Sequence, residues 1–459
     1  MSGVRLSEVA AAVGGRLLGP DVTLAGVSTD SRTVAPGELF VALRGPRFDG
    51  HDFVGHAAGR GAAAVLVAED PGGPLARVLV DDTLEALGRL GRWWRGRCAG
   101  PVVAVTGSSG KTTVKELAAA ILARTGPGLA TVGNLNNAIG VPLTLCRITP
   151  AHRWAVVELG ASAAGDIARL AGMAEPDVGV VLNAGPAHLE GFGTVAGVAR
   201  GKGELLEAVA ARGGVAVYNA DDAHAGLWRE LAAGARAVVR FGLAAEAEWT
   251  AEWRTEPEGT RLHLRGPAGP LAECRLPLLG RHNILNALAA AAAASAAGAD
   301  EAAILAGLEA AEPVPGRLRP LRLPCGALLL DDTYNANPQS LEAALEVLAA
   351  LPGERVLVLG DMAELGPESA AWHEAAGRRA LAAGVAALYG LGGEAARAAR
   401  AFGAAGRACT DVEELVAALA PRLGPEVTVL VKGSRRMRME RVVQRLLAAP
   451  AAPAANGEG

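Results

Sequence analysis

The segment GSSGKTT, residues 107–113, constrains the fold more than any other part of the chain. It follows a β-branched run at 102–107 and opens a helical pattern that begins at Lys111. A strand, a glycine turn and a helix in this order predict a parallel sheet covered by helices. Further short apolar runs at 154–158 and 178–183 alternate with helical patterns. We therefore predict an α/β protein with a mostly parallel central sheet.

The same turn predicts a polyphosphate site. Backbone N–H groups of the turn and the helix N-terminus would cradle phosphate oxygens. Lys111 would neutralise the β- and γ-phosphates, and the Thr112 hydroxyl would reach Mg²⁺. A generic P-loop has four residues between its glycines, whereas Gly107 and Gly110 enclose two. The short loop disfavours a generic kinase or GTPase, and a surface turn with a solvated lysine is the alternative interpretation.

The chain of 459 residues is too long for one ordinary core, so several domains are expected. Alternating strand and helix patterns resume after the Pro/Gly-rich linker at 312–316, and they predict a second α/β domain. Regular alternation at 240–277 predicts antiparallel hairpins at one sheet edge. We predict a small α/β domain, a central domain with the phosphate loop, a Rossmann-like domain and a disordered tail, at residues 1–85, 86–312, 313–449 and 450–459.

Composition excludes several classes of function. The formal charge is −4 and no Lys/Arg stripe occurs, so nucleic-acid binding is not expected. Short basic clusters at 89–97 and 435–441 fit solvated helix faces. Five scattered cysteines without a CxxC pair indicate neither a disulfide framework nor a zinc site, and reduced thiols fit the cytoplasm. The longest apolar run, 284–299, would span roughly 24 Å as a helix, too short for membrane insertion.

Further motifs follow one another along the chain. They read TDSRTVAPGELFVALRGPRFDGHDF, GNLNNAIGVPLTL, VELG, NAGPAHLEGFG, ARGKGELL, GRHNILNALAA, PGR, DDTYNANPQS, LGDMAELG and VLVKGSRRMRME. Together with the phosphate loop, these motifs resemble the Mur ligase family over residues 27–440. The stretch DDTYNANP resembles the branch of that family that adds D-alanyl-D-alanine.

The resemblance implies an ATP-dependent amide ligase. It would phosphorylate the carboxylate of UDP-N-acetylmuramoyl-tripeptide, and the amine of D-alanyl-D-alanine would then displace phosphate. A carboxylate is a poor electrophile, and bringing two anions together needs concentrated positive charge. The resemblance also implies ATP, two Mg²⁺ sites and a cytoplasmic enzyme that is a monomer.

The resemblance assigns roles around the phosphate loop. The catalytic residues would be Lys111, Glu158, His188 and Lys202. The Mg²⁺ ligands would be Thr112, Glu158, His188 and Lys202, the last as a carbamate. A carbamate requires an unprotonated amine, hence a depressed lysine pKa. Without the resemblance, Lys202 would more often be a solvated lysine and His188 a structural histidine.

Nucleotide binding would involve both parallel-sheet domains. The implied residues are Gly107, Ser108, Ser109, Gly110, Lys111, Thr112, Thr113, His282, Asn283, Arg317 and Asp332. Asn286 lies on the same helical face as Asn283, which could also serve as an N-cap. Either Asp331 or Asp332 would contact the ribose, with Asp332 preferred.

Substrate-binding residues are implied in three regions. They are Ser28, Thr29, Asp30, Ser31, Arg32, Phe40 and Arg44 for the UDP-sugar, Asn136 and Asn137 near the reacting groups, and Tyr334, Asn335, Asn337, Lys432, Ser434 and Arg435 near the acceptor. Asp361 and Glu364 are expected in a loop at a strand end, without an assigned contact. Arg436, Arg438 and Arg441 are interpreted as a basic face.

Three other hypotheses remain. One is a different ligase of the superfamily, either the enzyme that adds the third peptide residue or a folylpolyglutamate synthase. The others are a nucleotide-binding module without catalysis and a P-loop kinase that releases a phosphorylated product. DDTYNANP weighs against the first, and the presence of Lys111, Glu158, His188 and Lys202 weighs against the second.

Overall fold

The computed structural model describes residues 1, 3–45, 48–244, 246–256 and 258–448. It divides into two compact units. The first comprises Met1–Ala251, Leu264–Ala272 and Leu285–Leu308, and the second comprises Glu252–His263, Glu273–Ile284 and Glu309–Gly459. The predicted disordered tail at 450–459 lies outside the described residues, as does residue 449.

A five-stranded sheet forms the N-terminal part of the first unit. Its strands, in spatial order, are Arg16–Leu18, Ala76–Leu79, Ala64–Val67, Glu38–Val41 and Gly26–Ser28. Only the pair at the Arg16–Leu18 edge is antiparallel. Two further strands, Val4–Arg5 and Thr23–Leu24, form a separate two-stranded antiparallel sheet. These strands and the helices beside them agree with the α/β structure predicted for this part of the chain.

The central sheet of the first unit has six parallel strands. In spatial order they are Ala237–Phe241, Val215–Asn219, Val178–Val181, Val102–Thr106, Ala155–Glu158 and Leu129–Ala130. The strands at 102–106, 155–158 and 178–181 are fully buried because helices cover both faces, which explains their continuous apolar sequences. The strand, turn and helix predicted around residue 107 are confirmed.

The helices of the first unit connect these strands. They are Leu6–Val13, Val54–Gly59, Thr83–Arg95, Lys111–Leu122, Gly140–Cys146, Asp166–Ala174, Leu189–Phe192, Val195–Ala211 and Ala225–Leu231, with a 3-10 turn at Gly50–Phe53. Two further helices, Arg281–Ala296 and Glu301–Glu309, contribute residues to both units. The domain limit predicted between residues 85 and 86 falls inside helix Thr83–Arg95, and the domain limits stay predictions.

Two expectations about this region need correction. The strands Thr250–Glu256, Gly259–Gly266 and Gly269–Leu276 form a separate three-stranded sheet, whereas we predicted hairpins at the edge of a larger sheet. The basic cluster at 89–97 is not simply a solvated face. Arg95 is buried, and its guanidinium donates to the main-chain oxygen of Ala174 at 3.1 Å and pairs with Asp177 at 2.7 Å.

The second unit contains another six-stranded sheet. Its strands, in spatial order, are Arg319–Arg322, Leu328–Asp332, Val427–Lys432, Glu354–Gly360, Ala387–Leu391 and Gly406–Cys409. All neighbours are parallel except the first pair. The α-helices are Pro338–Ala350, Ser369–Ala382, Ala395–Phe402, Val412–Leu419 and Glu440–Ala448, with 3-10 turns at Gly366–Glu368, Ala420–Arg422 and Arg435–Met437. The predicted second α/β region is confirmed.

Within the described residues, no helix is both long enough and apolar enough to cross a membrane.

Candidate functional site

The phosphate loop has the backbone shape that a polyphosphate cradle requires. Strand Val102–Thr106 ends just before Gly107, and Gly110 precedes helix Lys111–Leu122 with a φ of +81°. A Cβ atom at Gly110 would lie 2.5 Å from the Asn286 side-chain oxygen. Both the left-handed φ and this close approach require glycine. Lys111 Nζ donates to the main-chain oxygen of Gly107 at 2.8 Å, so the lysine folds back over the loop.

A neighbouring strand end holds this loop in place. The Asn183 side-chain oxygen accepts a hydrogen bond from Ser109 N at 2.9 Å, and Ser108 Oγ accepts one from Gly185 N at 2.9 Å. Ala184 N donates to an Asp222 carboxylate oxygen at 3.0 Å. Sequence reasoning gave Asn183 and Asp222 no role. Their positions after neighbouring parallel strands were the available signal, because such strand ends meet at one sheet edge.

Glu158 is the central carboxylate of the site. It ends its strand opposite Val105 and is 2% exposed. Its two oxygens accept hydrogen bonds from Thr112 Oγ1 at 3.0 Å and from Asn136 Nδ2 at 2.7 Å. A buried carboxylate needs such donors because the protein interior solvates charge poorly. The structure thus brings three residues of the sequence prediction together.

Lys115 is linked to Glu158 through Thr131. The sequence analysis gave Lys115 no role. The side chain is 1% exposed, and its Nζ donates to the main-chain oxygen of Thr131 at 2.7 Å and pairs with Glu116 at 2.6 Å. Thr131 Oγ1 in turn accepts from Glu158 N at 3.0 Å. Because Lys115 lies four residues after Lys111, the two share one face of the helix. In the sequence, the four-residue spacing from Lys111 was the feature that could have pointed to Lys115.

Lys202 lies on helix Val195–Ala211 and is 2% exposed. Burial, and then the positive charge of Lys111, lower the pKa of Lys202 to about 7, although Asp166 and Glu204 oppose the shift. Its Nζ lies 5.5 Å from the centre of the Phe192 ring and donates to the main-chain oxygen of Ala161 at 3.4 Å. The amine is therefore available in its unprotonated form near neutral pH.

His188 and Asn137 occupy exposed positions of the same unit. His188 has a φ of +54° and precedes the short helix Leu189–Phe192. The Asn137 side-chain oxygen accepts from Gly140 N at 2.9 Å, at the start of helix Gly140–Cys146. Thr113, by contrast, is buried. Asn137 therefore has a local structural contact, and contacts of these residues with a ligand stay predictions.

The two aspartates of the second sheet have different partners. Lys432 Nζ pairs with Asp332 at 2.6 Å and also donates to the main-chain oxygen of Asn335 at 3.0 Å. The Asp331 carboxylate accepts from Thr333 Oγ1 at 2.6 Å. Asp331 and Asp332 both lie at the end of strand Leu328–Asp332. Contact of Asp332 with ribose stays a prediction.

The first turn of helix Arg281–Ala296 carries His282 and Asn283. Burial lowers the pKa of His282 to about 4, and the positive charge of Lys432 contributes while Asp332 opposes. The Asn283 side chain donates to the main-chain oxygen of Leu279 at 2.8 Å. Asn283 is the third residue of the helix, so the N-cap interpretation was wrong.

Arg317 and Tyr334 stack in the second unit, with the guanidinium carbon 4.3 Å from the ring centre. Asn337 is the N-cap of helix Pro338–Ala350, and its side-chain oxygen accepts from Ser340 N at 2.8 Å. This capping contact occupies the side chain that was expected near the acceptor. The Asn335 side-chain oxygen accepts from the main chain of its neighbour Ala336 at 2.9 Å.

The turn after strand Val427–Lys432 carries Ser434 and Arg435. Ser434 Oγ donates to the main-chain oxygen of Asp361 at 2.6 Å, and Arg435 pairs with Glu440 at 3.2 Å. Both side chains therefore have partners within the protein, Ser434 in the loop at Asp361 and Arg435 at the start of helix Glu440–Ala448.

The N-terminal block forms a polar loop with one exception. Ser28 Oγ accepts from Asp30 N at 3.2 Å, and Arg32 pairs with Asp30 at 2.7 Å. Hydrogen bonds from Arg32 lower the pKa of Asp30 to about 2. Phe40 is 1% exposed and packs in the core of the five-stranded sheet. The ring therefore helps to hold this sheet together, and the implied place of Phe40 in the UDP-sugar site stays a prediction.

The other members of that block differ in exposure. Thr29 is partly exposed, Ser31 is buried, and Arg44 is exposed. Arg44 pairs with Asp49 at 2.8 Å and also with Glu69. Their contacts with substrate stay predictions.

Family models match three stretches of the chain. They are described as the Mur ligase family catalytic domain, the Mur ligase middle domain and the Mur ligase glutamate ligase domain, at residues 23–92, 105–294 and 316–435.

A full-length relative and two solved structures are similar to the chain. The relative, from Escherichia coli K12, is named UDP-N-acetylmuramoyl-tripeptide–D-alanyl-D-alanine ligase; it is 46% identical over 97% of this chain and 99% of its own length. A MurF structure from Acinetobacter baumannii is 34% identical with a TM-score of 0.89, covering 98% of this chain and 100% of the other. MurF from Thermotoga maritima in complex with ADP is 31% identical with a TM-score of 0.82, covering 92% and 97%.

These likenesses extend over nearly the whole chain and confirm the α/β fold class that the motifs predicted. The chain therefore belongs to the Mur ligase family.

Proposed function

We propose that this chain is an ATP-dependent amide ligase that joins D-alanyl-D-alanine to UDP-N-acetylmuramoyl-tripeptide. The products would be a UDP-muramoyl-pentapeptide, a precursor for peptidoglycan, together with ADP and phosphate. The relative of 46% identity bears this name, and the chain spans 99% of it. The observation that carries the proposal is the buried Glu158 beside the phosphate loop, hydrogen-bonded to Thr112 and Asn136.

The chemistry consists of two steps. A carboxylate oxygen of the tripeptide attacks the γ-phosphorus of ATP, so a C–O–P linkage forms and ADP leaves. The dipeptide amine then attacks the acyl carbon, and the tetrahedral intermediate collapses to the amide with loss of phosphate and a proton. The Gly107–Gly110 backbone and Lys111 would bind the triphosphate, since N–H groups and an ammonium stabilise phosphoryl oxygens.

Glu158 at the carboxyl edge of the central sheet, with residues of the neighbouring helices and loops, would hold a divalent cation. Mg²⁺ prefers a few carboxylate oxygens together with substrate phosphates and water. Glu158 and Thr112 would supply oxygens, His188 would be a further ligand, and Lys202 would add two oxygens once carbamylated. Within the described residues, no group of three or more His, Cys, Asp or Glu side chains could hold a metal. When bound, Mg²⁺ supplies electrostatic stabilisation of the phosphoryl group.

Lys202 has the property that carbamate formation needs. Its pKa is lowered to about 7, so a substantial fraction of the amine is unprotonated at neutral pH and can react with CO₂. The neutral nitrogen attacks the carbon of CO₂ and releases one proton, so an anionic carbamate stands where an ordinary lysine would carry a positive charge. We include a second Mg²⁺ in the proposal on this basis.

Each predicted domain would bind one of the three substrates. Residues 1–85 would bind the UDP-sugar, 86–312 would bind ATP and 313–449 would bind the acceptor. His282, Asn283, Arg317 and Asp332 would contact the nucleotide. The acceptor site would be lined by Tyr334, Asn335, Asn337, Lys432, Ser434 and Arg435.

We place the enzyme in the cytoplasm as a monomer. Its proposed substrates are ATP, a UDP-linked tripeptide and a free dipeptide, all of which carry charged groups. The five cysteines all lie within the described residues and are free thiols, four of them buried, which suits a reducing compartment.

The test is a coupled assay of ADP release with mass spectrometry of the product. ADP release should require both UDP-muramoyl-tripeptide and D-alanyl-D-alanine, and the product mass should equal the sum of the two substrates minus water. Turnover with glutamate or diaminopimelate instead of the dipeptide would contradict the assignment and favour another ligase of the superfamily.

A further inference from the structure

The motif LGDMAELG, residues 359–366, has no role in the mechanism described so far. It leaves strand Glu354–Gly360, which lies between the strands that end at Lys432 and Leu391. The motif therefore begins at the carboxyl edge of the sheet, where α/β proteins bind their ligands.

Asp361 ties this loop to two neighbouring segments. Its main-chain oxygen accepts hydrogen bonds from both Ser434 N at 3.0 Å and Ser434 Oγ at 2.6 Å. Its carboxylate accepts from Glu394 N at 3.0 Å and Ala395 N at 2.7 Å, at the start of helix Ala395–Phe402. A shift of Asp361 would consequently move the turn that carries Ser434.

The close packing around Asp361 leaves little room for such a shift. Gly392 has a φ of +113°, and a Cβ atom there would lie 2.5 Å from the Asp361 carboxylate. A Cβ atom at Gly433 would lie 3.1 Å from the Cα atom of Gly360. Small residues thus allow three loop segments to meet at one point of the sheet edge.

His373 fixes the next residue of the loop. It is 0% exposed, its Nε2 accepts from Met362 N at 2.9 Å, and its Nδ1 lies 2.7 Å from the main-chain oxygen of Ser369. The Ser369 oxygen can only accept and the Met362 N–H can only donate, so Nδ1 carries the proton and Nε2 does not. Both ring nitrogens are therefore committed, and the ring orientation is fixed.

The backbone beyond Met362 needs this support. Glu364 is exposed and has a φ of +63°, in the left-handed region that is unfavourable for residues other than glycine. Such a conformation persists only where surrounding contacts determine it. The buried hydrogen bond from Met362 N to His373 is one of these contacts.

We propose that His373 and Asp361 are positioning residues for the acceptor. His373 fixes Met362, the adjacent Asp361 fixes Ser434, and the turn after Lys432 is thereby held ready for the incoming dipeptide. We call Asp361, Met362 and His373 the latch. The inference rests on the proposed function, since that proposal places Lys432 and Ser434 at the acceptor site. His373 itself acts only through the main chain.

Two near-isosteric variants of His373 separate the latch from simple packing. The amide of asparagine reaches about as far as Nδ1, and the amide of glutamine reaches about as far as Nε2. His373→Gln therefore keeps an acceptor for Met362 N, whereas His373→Asn keeps a donor for the Ser369 oxygen and loses the acceptor. We expect His373→Asn to raise KM for D-alanyl-D-alanine on the order of 10-fold, as for other supporting contacts around a site. KM for ATP should not change, and His373→Gln should recover most of the loss.

Urea unfolding of both variants provides the structural control. Equal KM values for the dipeptide in the two variants, or a parallel rise in KM for all three substrates, would overturn the latch. Where His373→Asn does not fold, Ser434→Ala replaces it, because it removes the 2.6 Å hydrogen bond to Asp361. An unchanged KM for the dipeptide in that variant would equally overturn the proposal. If the unmodified enzyme does not use the dipeptide at all, the proposed function itself has failed.

Discussion

The two six-stranded sheets each end at a carboxyl edge where polar side chains gather, but the two edges balance charge differently. At the central sheet, the buried Glu158 accepts hydrogen bonds from the neutral Thr112 and Asn136, and burial depresses the pKa of Lys202. At the second sheet, Lys432 and Asp332 form a buried ion pair at 2.6 Å. We infer from this difference that the central edge is adapted to bind highly charged ligands, whereas the charges at the second edge are already paired within the protein.

The largest expected effect concerns the balanced edge. Lys432→Met would leave the Asp332 carboxylate buried without its cation, and breaking a buried pair in this way costs about 3–5 kcal/mol of unfolding free energy. Urea unfolding measures this change. The double variant Lys432→Met with Asp332→Leu should be more stable than Lys432→Met alone. A double variant that is less stable would show that the pair does not set the balance at this edge.

At the central edge, the charge of Glu158 should matter for activity. Glu158→Gln retains the shape of the side chain but removes its negative charge. We expect the rate of ADP release to fall by more than about 100-fold, the largest loss typical of residues that only support metal ligands. Steady-state assays across a Mg²⁺ series measure this loss. Glu230→Gln on an exposed helix position is the control and should be neutral. Activity of Glu158→Gln within about 10-fold of the unmodified enzyme would contradict the assignment of Glu158 as a metal ligand.

The carbamate hypothesis predicts chemical rescue. Lys202→Ala should lower ADP release about 100-fold, the scale of a lost metal-site group. Acetate or formate should restore part of it, because a small carboxylate can occupy the place of the carbamate. Lys202→Arg retains a positive charge and should not be rescued. Full activity of Lys202→Ala without additive would contradict the hypothesis.

A smaller effect follows from the pKa of Lys202. Between about pH 7 and the ordinary lysine value of 10.5, the unfolded chain holds a proton here that the folded chain lacks. The free energy of unfolding therefore rises with pH in that window, and it does so more in the unmodified protein than in Lys202→Met. Urea unfolding at about pH 7 and pH 9.5 in CO₂-free buffer measures the difference. If the free energy of unfolding of the unmodified protein, relative to that of Lys202→Met, fell or stayed constant from about pH 7 to about pH 9.5, Lys202 would not be buried as an amine.

Sequence reasoning found the phosphate loop because a β-branched strand, two glycines and a helix are determined locally. Family motifs singled out Glu158 and Lys202, which the structure shows to be buried, and their roles at the metal stay predictions. Sequence reasoning missed Lys115, Asn183 and His373, since their roles are hydrogen bonds between segments far apart in the chain. The burial of Phe40 was not foreseen, because a motif shows that a residue belongs to a family pattern and does not show which way its side chain points. The N-cap at Asn283 failed because the helix begins two residues earlier.

The central claim is that the tripeptide carboxylate is phosphorylated before the amine attacks. Substrate labelled with ¹⁸O in that carboxylate tests it most directly, with mass spectrometry of the phosphate released during turnover with ATP and the dipeptide. An acyl phosphate transfers one labelled oxygen to each phosphate formed, and the account predicts that transfer. Unlabelled phosphate alongside labelled water would contradict it.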